Sequence, residues 1–93
     1  MAIYDTKTFR AEAHGHQVTF EFDKSGVVIN RGRVQIDGKQ VDERAVFYGE
    51  SKISGRIDDR DFEVRFASGI AGQLKHVELR VAGEEIPLVE DQT

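Results

Sequence analysis

Apolar and polar residues alternate along most of this chain. In residues 17–23, Val18, Phe20 and Phe22 fall on one side and Gln17, Thr19, Glu21 and Asp23 on the other. The same rhythm sets Ile53, Gly55 and Ile57 against Lys52, Ser54 and Arg56, and Phe62, Val64 and Phe66 against Asp61, Glu63 and Arg65. It returns with Val77, Leu79 and Val81 against His76, Glu78 and Arg80. Successive side chains of a β-strand point to opposite faces, so this period predicts strands with one buried and one solvated face. No stretch carries the i, i+3, i+4 stripe of a surface helix.

Turn chemistry separates the runs. Residues 14–16, 23–26, 30–32, 37–38 and 58–61 are rich in Gly, Asn and Asp, which favour tight reversals, and 68–72 reads as a longer loop. The expected fold is therefore all-β, an antiparallel meander forming a small β-sandwich or flattened barrel of about eight strands. The inward set is Phe9, Ala11, Val18, Phe20, Phe22, Val34, Ile36, Ile53, Ile57, Phe62, Val64, Phe66, Val77, Leu79, Val81 and Ile86. One stretch breaks the rhythm: Ala45, Val46, Phe47 and Tyr48 are consecutive apolar residues. A β-bulge near residues 43–45, cover on both faces, or an outward aromatic would each account for it.

Composition narrows the class. At 93 residues the chain is long enough for one domain, 1–93, whose last residues, 89–93, are expected to fray. A net charge of −4 with no Lys/Arg run argues against nucleic acid, which needs a basic face to displace counterions. With no cysteine, disulfides, thiolate metal sites and a cysteine nucleophile are all excluded. Residues 1–13 lack the basic start and apolar centre of a leader, and no apolar run is long enough to span a bilayer. The expectation is a cytoplasmic protein that does not engage membranes.

Candidate chemistry is sparse. His14 and His16 are two apart and His76 could join them, with Glu12 or Glu78 completing a metal site, but Gly15 puts a turn between the first two. Asp58, Asp59, Asp61 and Glu63 lack the spacing and the glycine of an EF-hand loop and read as an acidic hairpin tip. Ser25, Ser51, Ser54 and Ser68 lie in no nucleophile elbow, and neither glycine-containing segment, 80–85 or 68–72, opens a helix as a phosphate loop must. No enzyme activity, cofactor or metal is expected.

Residues 34–50 and 76–88 both run strand, two-residue turn, strand, with Asp-Gly in the first and Ala-Gly in the second. Their strands share only alternation, so they read as two ordinary hairpins and not as two copies of a working part. The order HQVTFEFDKSG, INRGRVQIDGKQV, FYG and LKHVELRVAGEEIPL, over residues 16–88, resembles the β-domains of the Fas apoptotic inhibitory molecule family. In that family a strand ends in a V-D-G-K-type turn and a final element reads L-x-V-x-x-x-x-I-P, to which LRVAGEEIP (79–87) is similar. The resemblance implies an antiparallel sandwich that acts through protein contacts without catalysis. It transfers no functional residue.

The function expected is a non-catalytic protein-interaction module, binding a protein partner or a second copy of itself through a sheet edge or an apolar patch. Residues 7–13 and 84–89 are the expected edges, the second guarded by Pro87, which has no N–H to offer a neighbour. Arg44, Phe47 and Tyr48 are the expected contact residues, an aromatic beside an arginine being a common interface anchor. The alternative is a barrel holding a small hydrophobic ligand, against which the phenylalanine-rich inward set speaks.

Overall fold

The computed structural model describes residues 4–25, 29–46, 49–69 and 74–91, with side chains described for 6–23, 30–43, 49–69 and 74–91. The strands are β1 (Tyr4–Ala13), β2 (His16–Ser25), β3 (Ile29–Ile36), β4 (Lys39–Val46), β5 (Gly49–Ile57), β6 (Arg60–Ser68), β7 (Leu74–Val81), β8 (Glu84–Ile86) and β9 (Val89–Asp91). They form two antiparallel sheets, A in the order β4-β3-β2-β1-β9 and B in the order β5-β6-β7-β8. The all-β meander is therefore an open two-sheet sandwich and not a closed barrel. The order nevertheless runs in a ring. Every ladder but one joins successive strands, β4 and β5 lie side by side in different sheets, and β9 returns to β1.

Period-two burial fills the space between the sheets. Sheet A contributes Val18, Phe20, Phe22 and Val34, and sheet B contributes Ile53, Ile57, Phe62, Val64, Phe66, Leu79 and Val81, none more than 2% exposed. Ala13, which the alternation did not single out, is buried as well. Phe66 crosses the gap, its ring centroid 4.9 Å from Phe20 and 6.1 Å from Phe22. Phe9, Ala11, Ile36, Val77 and Ile86 are partly buried at the margins of this core.

Several sequence expectations are corrected. Residues 23–25 continue β2, and Asn30, Arg31 and Gly32 lie inside β3 paired with Lys24, Asp23 and Phe22. Gly32 is there for space and not for a turn, because a Cβ on it would sit 2.6 Å from Phe66 Cζ. The β3–β4 register slips between Val34 and Gln35, opposite Asp42 and Gln40, which leaves Val41 as the extra residue. A bulge thus exists, but ahead of residues 43–45; Val41 is 42% exposed. Residues 89–91, at the start of the tail expected to fray, are built into sheet A. They form β9, pairing Val89, Glu90 and Asp91 with Arg10, Phe9 and Thr8, and Arg10 Nε meets Asp91 Oδ2 at 3.0 Å. Consequently β1 is not a sheet edge, since β9 covers its middle; the edges are β4 and β9 in A and β5 and β8 in B.

Candidate functional site

In a meander, alternate turns stack at one end. Three of the turns there, His14–Gly15, Asp37–Gly38 and Ala82–Gly83, hold positive φ at both central residues, the type I′ form that matches strand twist. In the β5–β6 turn Asp58 takes φ 57°. These turns bring together residues that are remote in sequence.

His16, the first residue of β2, sits between two of them. Its Nδ1 lies 2.6 Å from Asp37 Oδ2 in sheet A, and its Nε2 lies 3.2 and 3.1 Å from the two carboxylate oxygens of Asp58 in sheet B. Asp37 is held from behind: its Oδ1 accepts the Gln17 N–H at 2.9 Å, and its own N–H donates to the Gln17 carbonyl at 2.9 Å. Asp58 has no such support among the described residues. The ring is partly covered, with its side chain 29% exposed, while Asp37 and Asp58 are 51% and 55% exposed.

Electrostatics follows the geometry. The Asp37 carboxylate first, and the Asp58 carboxylate second, hold His16 above the ordinary imidazole value of 6.5. In return His16, helped by the Gln17 N–H, holds Asp37 below the usual carboxylate range. As an imidazolium the ring donates from both nitrogens, so it has no lone pair left to take a substrate proton or bind a metal.

A second charged cluster lies on the outer face of sheet A. Arg33 donates from Nε to Glu21 Oε1 at 2.9 Å, binds Asp23 through both terminal nitrogens, and approaches Glu43 at 3.7 Å. Thr6 Oγ1 adds a 2.7 Å hydrogen bond to Asp23. Burial pushes the Asp23 carboxyl up, but the Arg33 and Thr6 hydrogen bonds outweigh it, and the net shift is downward. The outer face of sheet B carries Glu63 between Lys52 and Arg65, and Glu78 beside Arg80 at 2.6 Å. One open depression there is lined by Ser54, Asp61, Glu63 and Arg80 together with Gly55 and Phe62.

The sequence-predicted residues fall in different places. His14 is exposed in its turn, and His76 lies opposite Ala67 on β6, far along the strand from Arg60 at the turn end, so the three histidines do not meet. Among the described residues, no group of three or more His, Asp or Glu could hold a metal ion. Arg44 lies on edge strand β4 opposite Gly32, with its side chain outside the described set. Phe47 and Tyr48 lie outside the described residues altogether.

Sequence reasoning read Asp37 as a turn former and Asp58 as part of an acidic tip, and it missed their joint contact with His16. The signal available was the alternation of turns, which puts 14–15, 37–38, 58–59 and 82–83 at one end of any regular meander. No family model, curated protein or solved structure matches the chain.

Proposed function

We propose that this chain is a non-catalytic protein-interaction module whose contact surface is the flank where β4 and β5 meet. One observation carries this reading: these two long strands, Lys39–Val46 and Gly49–Ile57, run beside each other, yet among the described residues each is hydrogen-bonded to one neighbouring strand only. Such edges present unpaired N–H and C=O groups that a protein must either blunt or use. The opposite flank is blunted. Strands β8 and β9 have three residues each, and Pro87 lies between them. On the β4–β5 flank the defences are fewer, namely the bulge at Val41 and the exposed Lys52 and Arg56.

The proposed contact residues, Arg44, Phe47 and Tyr48, belong to β4 and to the link that carries the chain from β4 to β5. The resemblance to the Fas apoptotic inhibitory molecule family points the same way, on its hairpin motifs alone. We place the protein in the cytoplasm, with a second copy of itself or another protein as partner. The runner-up, a barrel enclosing a small hydrophobic ligand, needs interior space that Phe20, Phe22, Phe62 and Phe66 occupy.

Light scattering over a wide concentration range, combined with amide exchange along β5, tests the proposal for self-association. Protection of alternate β5 amides that grows with concentration supports it. Phe47→Ala and Tyr48→Ala, made separately, should include one variant that weakens association at little cost in stability. A strictly monomeric wild type in which both variants lose several kcal/mol would place both rings in the core and remove this surface.

A further inference from the structure

The two contacts of His16 are of one chemical kind, and that has a consequence for pH. A carboxylate only accepts hydrogen bonds, whereas a neutral imidazole carries one N–H and one bare nitrogen. The ring can satisfy Asp37 and Asp58 together only when both nitrogens are protonated. We propose that His16 is a protonation-gated latch between the two sheets: the imidazolium ties the β5–β6 turn to sheet A, and the neutral ring keeps Asp37 and releases Asp58.

The surroundings decide which contact survives. Asp37 is fixed by its two hydrogen bonds with Gln17, and its contact with Nδ1, at 2.6 Å, is the shorter one. Asp58 sits in a two-residue turn and meets Nε2 at 3.1 and 3.2 Å, with no other hydrogen bond or ion pair among the described residues. The proton that remains therefore stays on Nδ1. The Nε2 lone pair then faces two carboxylate oxygens, a repulsive arrangement that only movement of the β5–β6 turn or entry of water relieves. Other charged groups lie close in sequence: Glu12 and His14 beside the β1–β2 turn, Lys39 after Asp37, and Asp59 and Arg60 after Asp58. None of them forms an ion pair with the ring or with either aspartate among the described residues. The latch thus depends on three side chains, and one of its contacts joins the two sheets.

Nitrogen-15 NMR of the His16 ring tests this directly. His16 should lose its proton above the ordinary imidazole value of 6.5, and its neutral form should be the Nδ1–H tautomer. Across the same pH interval, amide exchange corrected for base catalysis should accelerate at Asp58–Arg60 and stay unchanged at Asp37–Gly38. In Asp58→Asn the titration of His16 should move toward the ordinary imidazole value, and the acceleration at the β5–β6 turn should vanish. In Asp37→Asn the neutral tautomer should switch to Nε2–H. Titration of His16 at or below the ordinary imidazole value of 6.5, an Nε2–H neutral form in the wild type, or unchanged exchange at the β5–β6 turn would each overturn the latch. Wild-type spectra alone distinguish these outcomes, even where a variant folds poorly.

Discussion

Gly32→Ala tests how the two sheets are spaced. In most strands this substitution helps, because alanine has less freedom to lose on folding, a gain of about 0.4–1 kcal/mol where the backbone allows it. The backbone does allow it here: Gly32 is absent from the positive-φ glycines and lies in the paired middle of β3. Space is what opposes it. The new methyl would lie 2.6 Å from Phe66 Cζ, 2.9 Å from Phe66 Cε2 and 3.0 Å from Phe20 Cε1. Carbon atoms in contact prefer about 3.5–4.0 Å, so the Phe66 ring must retreat by about 1 Å. It has nowhere to go, being 1% exposed and packed against Phe20 and Phe22. Overpacking of this kind costs about 1–3 kcal/mol, which exceeds the entropic gain and leaves a net loss of about 0.5–2 kcal/mol. For a domain of this size that lowers the melting temperature by about 4–8 °C per kcal/mol. Urea unfolding should show a lower midpoint at unchanged slope. In a Phe66→Leu background the two closest contacts are gone and only Phe20 Cε1 at 3.0 Å remains, so the same substitution should cost clearly less. A Gly32→Ala protein at least as stable as wild type, or an equal loss in both backgrounds, would refute the packing argument.

Stability against pH should carry the signature of the His16 cluster. His16 is raised, so its contribution is complete below its ordinary value of 6.5 and is lost as pH climbs through the folded value; Asp37 is lowered, so its contribution is present above 3.8 and is lost as pH falls through its folded value. The difference in urea midpoint between wild type and His16→Gln should therefore be largest between these two values and shrink on both sides. Arg33→Met should cost about 1–2 kcal/mol by leaving Glu21 and Asp23 half-buried without their cation, whereas Arg56→Ala, whose partner Asp61 is 84% exposed, should change little. Ala82 holds φ 52° in front of Gly83, so Ala82→Asn, giving the pair that type I′ turns prefer, should raise stability by about 0.5–1 kcal/mol in the same melts.

What could be read from the sequence was what is encoded locally. The alternation of Val18, Phe20 and Phe22, or of Phe62, Val64 and Phe66, states its buried face within seven residues, and the structure buries those side chains. The Asp37–Gly38 turn is equally local. Gly32 misled because glycine serves both turns and close approaches, and the ring that requires it, Phe66, comes from the other sheet. The bulge at Val41 fell outside the anomalous apolar run because a register slip is a property of the pair of strands and not of either one. Strand β9 has three residues and follows a proline; only its pairing with β1, at the far end of the chain, makes it a strand. The His16 site was hidden for the same reason, since its contact with Asp58 spans 42 positions.

The ring order of the strands also bears on how the chain reaches this state. Hairpins between successive strands close short loops, and their entropic cost is met early and locally. The β1–β9 pairing is the exception, joining Thr8 to Asp91 across nearly the whole chain. A meander of this kind should fold faster than a sandwich of the same size with Greek-key crossings, because its mean sequence separation between contacts is lower. Docking of β9 is then expected after the rate-limiting barrier. Substitutions in the β1–β9 seam, such as Arg10→Ala at its ion pair with Asp91, should accelerate unfolding and leave the folding rate nearly untouched.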